Sequence, residues 1–129
     1  MTIRLPLGTH SGIHVDDGLQ LCMDDHALFW SQLQCFQNKY GASADDLSAL
    51  IAERRWNDAE FLAHTLKGTA GMLGLAEVAR TAAGLDEELK TACETGEFKD
   101  AKPALQSLRR ALDRMKEGIQ FLANSIHTT

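Results

Sequence analysis

The chain has 129 residues, a length that suits one domain with one hydrophobic core. Hydrophobic and charged contents of 44% and 24% are those of an ordinary globular protein. A formal net charge of −5, spread over both halves, excludes a general nucleic-acid binder, whose surface is basic.

Residues 1–13 hold Pro6, Gly8 and Gly12 without periodicity and read as a linker or loosely docked arm. A short helix is expected from Val15 to about Cys22. Phe29, Leu33, Phe36 and Tyr40 then step by four, three and four, one stripe of a second helix. Asp24 or Asp25 caps its start and Gly41 stops it. Ser43, with Asp46 in the reciprocal position, predicts a cap for a third helix whose inward face is Leu47, Leu50 and Ile51. Trp56-Asn57 is expected to interrupt it. Asn57 and Glu60 resemble a second capping box, so a fourth helix is expected from near Asp58 to Leu73, with Gly74 as its stop.

Leu75, Val78, Ala82, Leu85, Leu89 and Ala92 make the next stripe, ended by Gly96. The last stripe is the most regular: Phe98, Ala101, Leu105, Leu108, Leu112, Met115, Ile119 and Leu122. Pro103 blurs its start, because proline suits only the first helical turn. No strand pattern emerges. The expected fold is all-α, an antiparallel four-helix bundle running up-down-up-down, with an additional short N-terminal helix.

The cysteines Cys22, Cys35 and Cys93 are odd in number and form no C-x-x-C pair, which favours reduced thiols in a cytoplasmic setting. Cys35, inside an apolar helical run, is expected to be buried. No run approaches ~18 apolar residues, so no membrane span and no direct membrane contact are expected. The first ten residues lack the apolar core and cleavage signature of a signal peptide.

The segment "HTLKGTAGMLG", His64 to Gly74, carries three glycines where each costs ~1 kcal/mol relative to alanine in a helix. On a helical wheel Ala59, Leu62, Ala63, Leu66, Ala70 and Leu73 form the core face. His64 falls on the opposite side, with Gly68 and Gly71 beside it, Lys67 within reach, and Phe61 and Met72 bordering the same surface. Outward glycines clear side chains from around the imidazole, so that a second macromolecule can approach it. Imidazole, with an ordinary pKa of about 6.5, is largely neutral and nucleophilic near pH 7. A lysine beside it stabilises a transferring phosphoryl group. Glu60, four residues before His64, is a possible orienter of the far ring nitrogen; an exposed glutamate without a role is the equal alternative. Antiparallel helices hinged at Gly74 bring positions near 84 alongside 64, and Gly84 is expected to interrupt the next helix at that level.

"AHTLKGTAGMLG" resembles the signature of histidine-containing phosphotransfer (HPt) domains, matched by His64, Leu66, Lys67, Gly68, Thr69, Ala70, Leu73 and Gly74. The resemblance extends through "GIHVDDGLQL", "CFQNKYG", "AARTAAGLDEEL" and "TGEF", over roughly residues 12 to 125. It places the bundle at 14–125 and a tail at 126–129. It implies a phosphorelay intermediate: His64 accepts a phosphoryl group from a receiver-domain aspartyl phosphate and passes it to another receiver-domain aspartate. It implies catalytic roles for His64, as acceptor, and Lys67, as charge stabiliser. Gly68, Gly71, Phe61, Met72 and Gly84 then serve access and docking. The partners implied are receiver domains of a hybrid kinase or response regulator, met by a monomeric domain. No cofactor is expected on this domain, Mg²⁺ being expected on the partner receiver. The entry "GIHVDDGL" resembles the C-terminal module of bacterial hybrid sensor kinases, although a free-standing phosphotransfer protein would read almost the same.

The chain lacks a glycine-rich nucleotide loop, so autonomous ATP-dependent kinase activity is not expected. A metal-binding four-helix bundle requires Glu-x-x-His on two helices, and the sequence has none. His10, His14, His26 and His127 lack partners at ligand spacing and read as ordinary polar surface. The remaining alternative is a helical adaptor that docks receiver domains without phosphotransfer.

Overall fold

The computed structural model describes residues 3–128, with side chains described as far as Ile126; Met1, Thr2, Thr129 and the side chains of His127 and Thr128 lie outside the described residues. Among the described residues six helices carry the fold: α1 (Val15–Leu21), α2 (His26–Tyr40), α3 (Ser43–Ala52), α4 (Trp56–Met72), α5 (Ala76–Thr95) and α6 (Lys102–Ser125). The expected all-α bundle with its short leading helix is what the chain forms. One continuous core runs through it, drawing Phe29 and Leu33 from α2, Leu66 from α4, Leu85 and Leu89 from α5, and Leu108, Leu112 and Met115 from α6. Each of these is at most 1% exposed, so the three-and-four stripes are buried as their period requires.

Several boundaries differ from expectation, each for a physical reason. Asp25 caps α2, its Oδ1 accepting the Leu28 N–H at 3.0 Å. Ser43 does not cap α3. It is buried inside the first turn, donating its hydroxyl to the Tyr40 carbonyl at 2.6 Å. Neither Asn57 nor Glu60 caps α4, which begins two residues earlier, at Trp56. The Trp56 ring stacks on Phe98, centroids 6.2 Å apart, and this burial draws the indole into the helix instead of breaking it. Phe98 is thereby held in the connection before α6, whose first residue is Lys102, with Pro103 in the tolerated first turn. Gly84 does not interrupt α5, which is continuous from Ala76 to Thr95. Cys35 is exposed: it lies on the outer side of the α2 stripe, and Cys22 is the buried thiol.

The N-terminal segment is not loose. Leu5 is 4% exposed and Ile13 fully buried. Among the described residues four two-residue strands, absent from the sequence expectation, tie this segment down. They are β1 (Ile3–Arg4), β2 (Thr9–His10), β3 (Ile13–His14) and β4 (His127–Thr128). β1 pairs antiparallel with β4, and β2 with β3. Two of the histidines read as plain surface, His26 and His10, anchor this arrangement. His26 accepts the Leu5 N–H at 3.0 Å, and the His10 ring stacks on Phe121.

The α4–α5 hairpin sets the geometry that matters. Its turn at Gly74 has φ +72°, a left-handed conformation that glycine adopts without Cβ strain. The Gly74 carbonyl accepts the His14 N–H at 2.8 Å, and a Cβ at Gly74 would collide with the His14 carbonyl. The arm thus braces the hairpin turn. α4 and α5 are the most extensively packed helix pair. His64 and Asp86 lie at equal sequence distance on either side of Leu75, which puts them at one level across the hairpin.

Candidate functional site

Alternation on α4 builds the site. Ala59, Ala63, Leu66 and Ala70 are completely buried. His64, on the outer side, has a 60% exposed side chain. An added Cβ at Gly68, Gly71 or Gly84 would meet no heavy atom within 4 Å beyond its chain neighbours and the adjacent backbone of its own helix. None of the three is therefore required by packing, and the surface around the imidazole is open. Phe61 and Met72, large apolar side chains on the same helix, are 71% and 62% exposed.

The centre of the cluster is a residue absent from the sequence expectation. Asp86 sits on α5 with only 1% of its side chain exposed. Its Oδ2 lies 3.4 Å from His64 Nδ1, 3.4 Å from Lys67 Nζ and 3.3 Å from Lys90 Nζ. The two ammonium groups, on stems 40% and 55% exposed, reach it from solvent. Asp86 Oδ1 is buried and has no hydrogen-bond partner among the described residues. A sequence signal for Asp86 existed. It falls at helical spacing with the apolar stripe of α5, four residues after Ala82 and three before Leu89, with a lysine four residues on.

Burial pushes the Asp86 carboxyl up, but interactions with Glu60, His64, Lys90 and Lys67 outweigh it and hold the group below its ordinary value. Glu60 moves the other way. The neighbouring Asp86 carboxylate and desolvation raise its carboxyl, against the opposing pull of Lys90 and His64. The expected contact from Glu60 to the far ring nitrogen is not what orients the ring: the partner of His64 Nδ1 is Asp86 Oδ2.

An ionised Asp86 can only accept, so the ring donates Nδ1–H to it and carries its lone pair on Nε2. The 3.4 Å separation is long for a hydrogen bond, as is common for catalytic contacts before a partner is bound. The arrangement presents an oriented nucleophilic nitrogen, two nearby ammonium groups and a cleared surface.

Fold and site together define a helical bundle that displays an exposed histidine backed by a buried carboxylate. The family model described as Hpt domain matches residues 32–118, and the chain belongs to that family. The comparisons with curated proteins and with solved structures found no match. Membership gives the protein a phosphotransfer role in two-component signalling, with receiver domains of response regulators and kinases as the class of partner. Among the described residues no helix is long and apolar enough to cross a membrane.

Proposed function

We propose that His64 is the phosphoryl acceptor of a phosphorelay. It takes the group from a receiver-domain aspartyl phosphate and gives it to the aspartate of a second receiver. The observation that carries this reading is the His64–Asp86 pair, in which the carboxylate meets Nδ1 while the His64 side chain stays 60% exposed. In the forward step the Nε2 lone pair attacks phosphorus. A bond forms from Nε2 to phosphorus, the phosphorus–oxygen bond to the receiver aspartate breaks, and that aspartate leaves as a carboxylate. The Nδ1 proton stays on the ring, where the Asp86 charge stabilises the imidazolium created by the attack. Lys67 and Lys90 face the same carboxylate and lie where an ammonium offsets phosphoryl charge.

Gly68, Gly71 and Gly84 give the receiver access, and Phe61 and Met72 offer it apolar contact area. The domain needs no metal of its own for transfer, and Mg²⁺ is assigned to the receiver. We place the domain in the cytoplasm, as a monomer and as a module of a hybrid sensor kinase. An adaptor that docks receivers without transfer leaves the buried acid and its two lysines without a purpose.

Incubation with a phosphorylated receiver tests the reading. The protein is expected to acquire a phosphate that is labile in acid and stable in base, the signature of a nitrogen–phosphorus bond. An acid-stable label, or none, contradicts it. Lys67→Ala is expected to slow uptake or shorten the life of the phosphohistidine, and an unchanged rate and lifetime remove Lys67 from the mechanism.

A further inference from the structure

The acceptor cluster has the makings of a second kind of site. Glu60 and His64 stand four residues apart on one face of α4, and Asp86 faces them from α5. One carboxylate oxygen from each acid and one imidazole nitrogen all lie within 4.8 Å of one another. Asp86 adds an independent observation: its Oδ1 is buried with no partner among the described residues, an acceptor that only a donor or a cation can satisfy. Two carboxylates facing each other also favour a cation between them.

We propose that Glu60, His64 and Asp86 bind a divalent transition-metal ion of the Zn²⁺ class, and that the bound ion prevents His64 from accepting a phosphoryl group. Imidazole with two carboxylates is a donor set for Zn²⁺, whereas Mg²⁺ prefers all-oxygen octahedra. Three protein ligands and an exposed edge leave a coordination position for water. This is a surface site bridging two adjacent helices, unlike the bundle-core metal site that the sequence excludes. The loss of nucleophilicity follows from either ring nitrogen. An ion on Nε2 occupies the attacking lone pair, and an ion on Nδ1 leaves the ring proton on Nε2. The blocking half rests on His64 being the acceptor; the binding half does not.

Lys67 and Lys90 oppose the ion. Their ammonium groups sit 3.4 and 3.3 Å from Asp86 Oδ2 and must swing into solvent when it binds, which their exposed stems allow. The same lysine therefore has opposite effects on the two activities: removing it should weaken phosphoryl transfer and tighten metal binding.

Calorimetric titration with ZnCl₂, with Cys35 and Cys93 replaced by serine to remove the exposed thiols, tests the binding half without any transfer assay. One ion per chain is expected, with MgCl₂ giving no heat. Glu60→Gln and His64→Gln, both at accessible positions, are each expected to weaken Zn²⁺ binding by at least about tenfold. Lys67→Ala is expected to tighten it several-fold. Equal affinity in wild type, Glu60→Gln and His64→Gln overturns the site, as does Zn²⁺ binding left unchanged or weakened by Lys67→Ala. For the blocking half, protein phosphorylated chemically with phosphoramidate is expected to bind Zn²⁺ more weakly than unmodified protein. Equal affinity there, with His64 shown to carry the phosphate, overturns the blocking and leaves the acceptor reading standing.

Discussion

At the scale of single residues, the chemistry rests on the carboxylate of Asp86 and on the opposite displacements of two acids. Replacing Asp86 by asparagine keeps an acceptor for Nδ1–H but removes the charge that stabilises the imidazolium. Asp86→Asn is expected to slow phosphoryl uptake by about tenfold, the kinetic equivalent of ~1.4 kcal/mol. The ¹⁵N spectrum of the His64 ring is expected to shift from one tautomer to a mixture. A slowed reaction with an unmoved tautomer would assign Asp86 a purely structural role. Glu60 gives a prediction with a definite sign. Its carboxyl is raised by Asp86, so the folded state holds the Glu60 proton more tightly than the unfolded state does. Ionised Glu60 therefore opposes folding above its raised pKa, and that opposition vanishes as the pH falls through it. Glu60→Gln is expected to raise the melting temperature at pH 7, with the gain shrinking on acidification. A gain independent of pH, or a loss at pH 7, would contradict the pairing. Asp86 has the reverse dependence: its carboxyl is lowered, so its contribution is present above the ordinary carboxylate range and is lost as the pH falls through its own pKa.

At the scale of the element, α4 has its two faces set by different demands. Its inner face of Ala59, Ala63, Leu66 and Ala70 is fully buried, whereas Gly68 and Gly71 are open. Gly68→Gln adds a side chain to empty space and replaces a poor helix former with a good one. The variant is expected to be more stable by up to ~1 kcal/mol and yet slower in transfer. Thermal melting and transfer kinetics on the same preparation check both signs; loss of stability, or unchanged kinetics, would remove the access role. This element also shows what sequence reading captures. His64, Lys67 and the outward glycines follow from a 3.6-residue period alone, because they lie on one helix. Asp86 does not, because its burial becomes sensible only when donors arrive from α4. The capping box at Asn57 failed for a related reason: local capping preference yielded to long-range burial, Trp56 against Phe98.

At the scale of the whole molecule, the long stripes of α5 and α6 made the bundle readable, since periodicity reports which face is covered without saying by what. The docked arm was not readable. Ile13 and Leu5 sit in a short segment broken by glycines and proline, and their partners, the hairpin turn at Leu75 and the His26 ring, are distant in sequence. The arm nevertheless belongs to the fold. Ile13→Ala is expected to cost about 2–5 kcal/mol, the usual range for emptying a buried aliphatic site. Urea denaturation checks it, and a cost below ~0.5 kcal/mol, typical of surface substitutions, would mean the arm is dispensable. Because the arm braces Gly74, and Gly74 sets the level at which His64 meets Asp86, its integrity reaches the site through the hairpin.

All three scales meet in the claim that one imidazole, oriented from behind and cleared in front, carries the phosphoryl group. Transfer from a phosphorylated receiver to wild type and to His64→Gln, followed by mapping of the labelled residue, tests this most directly. The expected result is a label on His64 in the wild type and no label in the variant, with both chains equally folded. Equal labelling of His64→Gln would contradict it.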